Sequence, residues 1–239
     1  MKIAGASVLV TGANRGLGRE LVEEALRMGA KRVYACTRGL LAHPDDRVTP
    51  LTLDVTNAAQ VQRASEQVQS LDILVNNAGV AFNDDLSDRT ALERHLAVNL
   101  FGPYSMVRAF LPHLVRSRGA IVNVLSTASI AAFPIIPAYS ISKAAAFSLT
   151  QSLRALLAAQ NVSVHAALPG PIDTDMTRGL DIAKSSPESV ARGILEALER
   201  GEDEIFPDPV SASIAEGWRD GVVRALARQF ADLARQQKE

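Results

Sequence analysis

The residues best suited to chemistry lie in the segment YSISK, residues 139–143, inside an alanine-rich run that predicts a helix. Tyr139 and Lys143 are four positions apart, so one helical turn places both side chains on the same face, with Cβ atoms about 5–6 Å apart. A phenol beside an ammonium group is a candidate proton donor. The pair could equally be two solvated polar side chains, because three tyrosines and five lysines give a chance Tyr-x-x-x-Lys match with a probability of roughly 6%.

A glycine-rich segment, TGANRGLG at residues 11–18, lies between a predicted strand and a predicted helix. Gly12 permits a turn that is closed to β-branched residues, and Gly16 and Gly18 allow backbone N–H groups at the helix start to approach an anion. The spacing Gly-x-x-x-Gly-x-Gly differs from the common G-x-G-x-x-G pattern. The segment predicts a loop that binds dinucleotide phosphates, although glycines that only shape a tight turn would give the same sequence.

The end of the second predicted strand indicates which dinucleotide binds. Sites for NAD usually carry a carboxylate there, which binds the ribose 2′-OH, but this strand ends at Thr37 and Arg38, and the next acid is Asp45. Arg38 and Arg15 offer two guanidinium groups to a 2′-phosphate instead, unless both are solvated surface charges. The pattern predicts NADP(H). Asp54, at the end of the third strand, is predicted at the adenine edge.

Strand-like and helix-like runs alternate along the chain and must position these residues. Apolar, β-branched runs predict strands at residues 7–11, 32–37, 48–55, 71–79, 120–126 and 162–168. Apolar residues at helical spacing predict helices at residues 16–28, 58–68, 88–116 and 138–160. Such alternation is typical of right-handed βαβ units, with a parallel sheet and helices on both of its faces.

Prolines mark where these elements should be interrupted. Pro50 lies inside the third strand and favours the sheet edge, because proline cannot donate to a ladder on both sides. Gly102-Pro103 and Pro112 predict breaks in the helix at 88–116. A further helix is predicted from Ser186-Pro187, and the segment EIFPDP predicts a short strand or turn. An apolar stripe follows that favours a packing or subunit surface over a ligand site: Ile214, Trp218, Val222, Leu226, Phe230 and Leu233.

The composition argues against several classes of protein. Twenty-five basic and 26 acidic residues give a net charge of −1, without the basic face that a nucleic-acid surface needs. The single cysteine, Cys36, excludes an internal disulfide framework, and four scattered histidines give no zinc-ligand spacing, so no metal site is predicted. No apolar run approaches the ~20 residues of a membrane span, and the first apolar run reads better as a strand than as a leader. We expect a cytoplasmic protein.

Taken together, these segments resemble the short-chain dehydrogenase/reductase family, in its single-domain branch. The resemblance covers residues 5–180 approximately and rests on TGANRGLG, the acid of LDV, NNAG at 76–79, VNLFG, a serine thirteen positions before the tyrosine, YSISK and LPGPIDTDM. The resemblance implies an α/β fold of the Rossmann type, a doubly wound, mostly parallel seven-stranded sheet with helices on both faces. We expect one domain over residues 1–239, with 175–239 as its substrate-side and assembly segment.

The resemblance also implies roles for single residues. Tyr139 is expected to donate a proton with Lys143 as its partner, Ser126 to orient a carbonyl, and Asn99 to complete a proton relay through Lys143 and water. Ser126 could alternatively cap a strand end, and Asn99 could be a buried hydrogen-bonding residue. Together, the Lys143 ammonium and an oxidised nicotinamide ring should lower the pKa of the phenol. Besides Tyr139 and Lys143, the expected cofactor contacts are Gly12, Asn14, Arg15, Gly16, Leu17, Gly18, Thr37, Arg38, Asp54, Val55, Asn77, Ala78, Gly79, Pro169, Gly170, Ile172 and Thr174.

The substrate is expected to be a ketone, an aldehyde or the corresponding alcohol with an apolar body. Residues 127–138 are almost wholly apolar, and the segment after the nicotinamide contacts contains Met176, Leu180 and Ile182. Arg178 is the one basic side chain that we consider for an anionic substrate group. No acid–base partner lies at motif spacing from three of the histidines, so none is assigned a role: His95, His113 and His165.

Two other functions stay open at this point. A non-catalytic NADP-binding redox sensor or regulator could use the same fold, although it would not need Tyr139, Lys143, Ser126 and Asn99 together. A sugar-nucleotide epimerase or dehydratase would need a larger C-terminal substrate domain than the chain provides. The family's usual subunit contact, through the helices at 88–116 and 138–160, implies a homodimer or homotetramer.

Overall fold

Seven parallel strands form one sheet in the computed structural model, which describes residues 1–223 and 225–226. The spatial order of the strands is β3-β2-β1-β4-β5-β6-β7. The predicted Rossmann-type, doubly wound α/β fold is therefore confirmed. The strands are β1 (Ser7–Thr11), β2 (Arg32–Thr37), β3 (Val48–Thr52), β4 (Ile73–Asn76), β5 (Ala120–Val124), β6 (Ser163–Ala167) and β7 (Glu204–Ile205).

Helices follow the strands in the predicted alternation. They are α1 (Gly16–Arg27), α2 (Ala58–Gln67), α3 (Arg89–Leu96), α4 (Gly102–Ser117), α5 (Pro137–Leu157), α6 (Pro187–Arg200) and α7 (Pro209–Arg219). A π-helical turn, Ala97–Phe101, joins α3 to α4. Short 3-10 turns lie at Thr127–Ser129, Ala158–Gln160 and Asp175–Thr177. No helix in the described part of the chain is both long enough and apolar enough to span a lipid bilayer.

Side-chain alternation along the central strand creates two apolar layers. In β1, Val8 and Val10 join a cluster with residues of α1 and α6, whereas Leu9 joins a second cluster with residues of α2 and α4. All five residues of β1 are buried, as expected for a parallel strand covered by helices on both faces. Phe110 of α4 is completely buried in the second layer, and burying such a side chain is worth about 1.5–3 kcal/mol.

The position of Pro50 confirms the prediction of an edge strand. Within the described residues, β3 pairs with β2 alone, and Pro50 lies opposite Ala35 in that ladder. β3 ends at Thr52, three residues earlier than the apolar pattern predicts, because Leu53 to Val55 leave the ladder at the carboxyl edge of the sheet. Leu53 still donates its N–H to the Thr37 carbonyl.

The prediction of a helix break at Pro112 is wrong, whereas the break near Gly102-Pro103 is confirmed. The interruption is the π-helical turn that ends at Phe101, after which α4 runs through Pro112 to Ser117. A proline inside a helix leaves the carbonyl four residues earlier without its usual donor. That residue is Arg108, and both it and Pro112 are exposed, so water can serve the carbonyl in place of the missing N–H.

Three polar side chains cross the buried interior from the sheet to α5. Asn76 of β4 donates its Nδ2 to Asn123 Oδ1 of β5 at 2.9 Å, and Asn123 Nδ2 donates to Thr150 Oγ1 of α5 at 2.9 Å. Thr150 donates in turn to the Ala146 carbonyl at 2.7 Å. All three side chains are nearly inaccessible to water. We call this series the amide chain; it fixes how α5 sits against the centre of the sheet.

The C-terminal elements begin where their sequence signals predict. The Ser186 hydroxyl accepts from Ser189 N–H at the start of α6, with Pro187 in the first turn. The segment EIFPDP contains both β7 and the N-cap of α7, where the Asp208 carboxylate accepts from two backbone N–H groups. Of the apolar stripe, Trp218 packs on Phe147 of α5 with 5.6 Å between ring centroids. Phe230 and Leu233 lie outside the described residues.

Candidate active site

A cleft of about 1940 Å³ opens along the carboxyl ends of the strands. The strand order reverses between β1 and β4, and the crevice at such a reversal is where ligands bind in open α/β sheets. All nineteen residues expected to contact a cofactor line this cleft, and so does Ser126. We call the part lined by residues 12–18, Thr37 and Arg38 the glycine end. The apolar end lies beyond Tyr139 and is lined by residues 130–136, 176–183 and one face of α7.

At the glycine end, the loop between β1 and α1 leaves no room for side chains. A Cβ atom on Gly18 would lie 2.0 Å from the Gly12 carbonyl oxygen, so the start of α1 can approach the loop only with glycine at this position. Gly12 and Gly16 have φ of +69° and +52°, a left-handed conformation that favours glycine. The first turn of α1 therefore presents its backbone N–H groups to the cleft, as an anion site requires.

The glycine loop is fastened to the segment that follows β4. Thr11 Oγ1 accepts from the backbone N–H groups of Asn77 and Ala78 at 2.9 and 3.0 Å. The Asn77 side chain donates back to the Thr11 carbonyl at 2.9 Å. These bonds hold the two strand ends at the crevice in one fixed arrangement, so the residues on both sides of the cleft are preorganised.

The two arginines predicted for a 2′-phosphate have different surroundings. Arg38 is exposed at the rim of the cleft. A hydrogen bond from the Thr56 hydroxyl lowers the pKa of Asp54, and the nearby Arg38 charge adds to that lowering. Arg15 instead bonds Asp175, with 2.8 Å between Nη1 and Oδ2. Asp175 also pairs with Arg178, the residue considered for an anionic substrate group.

This cluster of Arg15, Asp175 and Arg178 links the glycine loop to the segment after β6 across the mouth of the cleft. All three side chains are largely exposed, between 44% and 79%, and exposed ion pairs contribute about 0–1 kcal/mol. A ligand phosphate can therefore compete with Asp175 for Arg15. Arg178, the residue considered for an anionic substrate group, shares the single Asp175 carboxylate with Arg15.

Tyr139 and Lys143 lie on the same face of α5, in its first two turns, and both are buried. Lys143 Nζ donates to the Val124 carbonyl at the end of β5 at 2.8 Å and lies 5.7 Å from the centroid of the Tyr139 ring. The side chains of Ser126 and Tyr139 interact, and the interaction lowers the pKa of the phenol. The Ser126 hydroxyl also accepts from Ala128 N–H at 3.1 Å, so Ser126 caps a 3-10 turn as well as facing Tyr139.

Asn99 is buried under the cleft wall, in the π-helical turn. Its side chain holds the backbone of Val80 on both sides, accepting from the N–H and donating to the carbonyl at 2.9 Å each. Asn99 Nδ2 also donates to Ser142 Oγ of α5 at 2.9 Å. A Cβ atom on Gly79 would lie 3.3 Å from Asn99 Oδ1 and 3.7 Å from Lys143 Nζ. Asn99 therefore positions the strand-end loop beside Lys143.

Burial is the main cause of the pKa shifts of Tyr139 and Lys143. It raises the pKa of the Tyr139 phenol to about 12, while the hydrogen bond with Ser126 acts more weakly in the opposite direction. Burial also lowers the pKa of the Lys143 ammonium to about 8. The expected lowering of the phenol pKa is therefore not a property of the chain by itself. Desolvation is the larger of the two effects on the phenol pKa, and Lys143 is not among the groups that shift it.

Comparison with known proteins decides the family. The family model for short chain dehydrogenases matches residues 6–184, about three quarters of the chain. The chain belongs to the short-chain dehydrogenase family. It is therefore an oxidoreductase of that family, and the resemblance drawn from its motifs is confirmed.

Three members of the short-chain dehydrogenase family illustrate the similarity. A structure of a short chain dehydrogenase from Burkholderia cenocepacia in complex with NADP is 39% identical, with a TM-score of 0.88 over 96% of this chain and 98% of that one. A short-chain dehydrogenase/reductase from Burkholderia phymatum in complex with NAD is 25% identical, with a TM-score of 0.80 over 89% and 92%. The oxidoreductase UcpA of Salmonella typhimurium is 33% identical over 82% of this chain and 81% of its own.

The residues of the glycine end fit the nicotinamide dinucleotides that structures of the short-chain dehydrogenase family contain. The cradle at Gly12, Gly16 and Gly18 would be filled by any side chain, which is the expected geometry where a pyrophosphate approaches backbone N–H groups. A carboxylate that could bind a ribose 2′-OH is missing from the end of β2, where Thr37 and Arg38 lie. Among the described residues, no three His, Cys, Asp or Glu side chains are grouped as a metal site would require.

Sequence reasoning missed a row of rings beside Tyr139. The His95 ring lies edge-on to Tyr139 at 6.3 Å and against Phe82 at 4.0 Å, and Arg94 Cζ lies 4.5 Å above the Phe82 ring. His95 Nδ1 donates to the Ala91 carbonyl and Nε2 accepts from Phe82 N–H, which only a neutral ring protonated at Nδ1 can do. No spacing rule connects residues 82, 94 and 139, so the contact becomes visible only in three dimensions.

The C-terminal stripe was also interpreted only in part. One face of α7 lines the apolar end of the cleft through Val210, Ile214 and Trp218. The sequence favoured packing for Ile214 and Trp218, and Trp218 does pack on Phe147. Both residues nevertheless also face the cleft. The period of the stripe is the same for a helix that covers a core and for one that closes a pocket, so periodicity alone could not separate these roles.

Proposed function

We propose that the protein is an NADP(H)-dependent oxidoreductase acting on a carbonyl group, or on the corresponding secondary alcohol, of an apolar small molecule. The observation that carries this proposal is the convergence of Tyr139, Ser126 and Lys143 at one point of the cleft, between the glycine end and the apolar end. The relative in complex with NADP, at 39% identity, supports the same class of cofactor. Reduction of ketones and aldehydes, followed as loss of NADPH absorbance, tests the proposal.

In this mechanism each chain residue has a separate task. The bound nicotinamide supplies hydride to the carbonyl carbon or accepts it in the reverse direction. Ser126 donates a hydrogen bond to the carbonyl oxygen as negative charge develops there. Tyr139 transfers its phenolic proton to that oxygen and acts as general acid. Lys143 supplies a positive charge at the Tyr139 ring, which favours the phenolate left behind.

In this proposal, Asn99 positions the loop after β4 relative to α5. Its bonds to Val80 and Ser142 tie the loop after β4 to α5, the helix that carries Tyr139. The relay through Lys143 and water that the resemblance implies would start from the same place, since Asn99 and Lys143 both lie close to Gly79. Tyr139, Lys143 and Asn99 are buried, so their surroundings would keep bulk water away from the proton being transferred.

The cofactor would lie along the cleft from the glycine end to Tyr139. Backbone N–H groups of residues 12–18 would hold the pyrophosphate, Arg38 the 2′-phosphate, and Asp54 with Val55 the adenine edge. Residues 77–79 would contact the adenosine ribose and Lys143 the nicotinamide ribose. The stretch proposed for the carboxamide comprises Pro169, Gly170, Ile172 and Thr174.

Replacing Arg38 by alanine is expected to raise the Kd for NADPH by about 10- to 100-fold, because a charge-assisted hydrogen bond to the 2′-phosphate is lost. The Kd for NADH should hardly change, since NADH lacks that phosphate. Titration by nucleotide fluorescence measures both constants. Arg32→Ala is the matched control, because Arg32 lies at the opposite end of β2 and outside the cleft. Equal weakening of NADPH and NADH in Arg38→Ala would contradict the proposed preference.

We also propose a homodimer or homotetramer. Apolar side chains are exposed on the outer surfaces of α4 and α5 and in the turn before α4, and a subunit contact would cover them: Phe101, Tyr104, Ile141 and Leu156. Light scattering coupled to size exclusion should give two or four times the chain mass of 25.5 kDa. A single species at the mass of one chain would refute the assembly.

The redox-sensor alternative differs in one measurable respect. A sensor on this fold would bind NADP(H) without turnover of any carbonyl compound. The epimerase alternative needs a separate C-terminal substrate domain, whereas α6 and α7 pack on the same sheet and cleft that hold the glycine loop.

A further inference from the structure

The cleft is lined by a charged group whose role the proposed function leaves open. Arg94, on α3, lines the cleft together with Phe82. We propose that Arg94 binds a carboxylate on the substrate, so that the protein acts on carbonyl compounds whose apolar body carries a carboxylate remote from the reacting carbonyl. This inference rests on the proposed function, because it names the substrate class of the same site.

The ring row fixes Arg94 relative to Tyr139. The Arg94 guanidinium lies above Phe82, Phe82 contacts His95, and His95 contacts the Tyr139 ring edge-on. Hydrogen bonds from His95 to the Ala91 carbonyl and from Phe82 N–H to His95 hold the middle of this row. A guanidinium stacked on an aromatic ring keeps its edge free for a planar, two-pronged contact with a carboxylate. Arg94 and Tyr139 both line the same cleft.

Arg94 differs from the other cations of the cleft in its partners. Arg15 and Arg178 both pair with Asp175, and Lys143 donates to the Val124 carbonyl. Arg38 lies near Asp54, at the glycine end. Within residues 1–223, neither a carboxylate nor a hydrogen-bond acceptor contacts the Arg94 guanidinium. Its sequence neighbour Glu93 pairs with Arg89 instead.

The surroundings of Arg94 would strengthen a contact with an anion. Arg94 is exposed, with its guanidinium over the Phe82 ring, and an apolar substrate body lying against it would exclude water and increase the attraction between opposite charges. The glycine loop, at the other end of the cleft, would bind the phosphates of a dinucleotide. Those phosphates would therefore not compete for Arg94. An anion that binds Arg94 would therefore belong to the substrate. Side chains that would contact its apolar body include Ile130, Phe133, Met176, Ile182, Val210 and Ile214.

Matched substrates that differ only in charge test this inference. Methyl ketones of increasing length would be supplied as free acids and as methyl esters: 4-oxopentanoate, 7-oxooctanoate and 10-oxoundecanoate. The kcat/KM of each would be measured with NADPH for the wild type, Arg94→Gln and Arg94→Lys. Arg89→Gln is the control, because it removes the same charge from the same helix outside the cleft.

For at least one chain length, the wild type is expected to favour the acid over its ester. Arg94→Gln should lower kcat/KM for that acid by about 10- to 100-fold, mainly through KM, and leave the ester unchanged. Arg94→Lys should retain part of the preference, because it keeps the charge but loses the planar fork. Arg89→Gln should behave as the wild type does. The same ratio of acid to ester in Arg94→Gln and in the wild type, at every length, would overturn the inference.

A binding measurement separates failure of this inference from failure of the proposed function. Trp218 is the only tryptophan and lines the apolar end, so its fluorescence should report octanoate and methyl octanoate directly. If no ketone is reduced but octanoate binds in an Arg94-dependent manner, the anion site stands and the proposed reaction fails. If ketones are reduced but octanoate and its ester bind equally to wild type and Arg94→Gln, the reaction stands and the anion site is refuted.

Discussion

Tyr139→Phe is expected to lower kcat for ketone reduction by about 10²- to 10⁴-fold, because in the proposed mechanism the phenol is the group that delivers a proton to the developing oxyanion. Within the described residues, the other side chains at that point are the Ser126 hydroxyl and the buried Lys143 ammonium. The ring itself stays, so its contacts with His95 and Lys143 should persist. NADPH absorbance measured over time under saturating substrate gives kcat directly.

Two further measurements show whether the fall in kcat comes from the chemical step and not from weaker cofactor binding or a damaged fold. The Kd for NADPH of Tyr139→Phe should stay within a few fold of the wild type, because the phenol oxygen is not among the groups proposed to bind phosphate. Tyr34→Phe is the matched control, since Tyr34 is a buried tyrosine of β2 that does not line the cleft. Unchanged turnover in Tyr139→Phe would remove Tyr139 from the mechanism. Absence of turnover in the wild type with every carbonyl tried, together with tight NADPH binding, would favour the redox sensor.

The second large effect is expected for Ser126→Ala, with a fall in kcat of about 10²- to 10³-fold. The carbonyl oxygen loses its hydrogen-bond donor, and the Tyr139 phenol loses the neighbour that opposes the burial-driven rise of its pKa. Both losses act in the same direction at neutral pH, because a phenol of higher pKa is a weaker acid. Single-turnover reduction with enzyme in excess measures the step without product release.

Ser129→Ala provides the comparison for Ser126→Ala. Both serines belong to the turn after β5, but Ser129 does not line the cleft and its buried hydroxyl has no hydrogen-bond partner among the described residues. Loss of the cap that Ser126 gives to Ala128 N–H costs stability as well, typically about 1 kcal/mol. Chemical denaturation of both variants separates that cost from the loss of rate. Equal rates in the two variants would show that the Ser126 hydroxyl takes no part in the reaction.

Local signals were sufficient for much of the fold. β1 and β2 have the predicted ends, because each is a short, largely apolar run bounded by residues that leave the sheet. Pro50 identified the sheet edge because the consequence of a missing N–H is local. Pro112 misled the prediction, because the cost of proline in a helix depends on whether the affected carbonyl is exposed, and a sequence does not contain that information.

In the candidate site too, local sequence patterns identified some residues, whereas other contacts arise only from the fold. The glycine loop and the Tyr139–Lys143 pair are local patterns, and the structure brings them into one cleft. The partner of Arg15 is Asp175, 160 positions later, so nothing near Arg15 in the chain could identify it. The ring row that ends in Arg94 depends on contacts between three separate elements. Contacts of this kind follow from how helices pack on the sheet, which residue spacing does not determine.

The amide chain has a consequence for how genetic data on this protein should be read. Asn123 touches neither end of the cleft, yet its bonds couple β4, the strand that ends at Asn76, to α5 two turns beyond Lys143. A leucine at position 123 would fill a similar volume but leave the buried Asn76 amide without its acceptor and remove the donor to Thr150 Oγ1. In a deep mutational scan scored by enzyme turnover, position 123 would therefore rank with the reacting residues, although its intolerance reflects architecture and not chemistry.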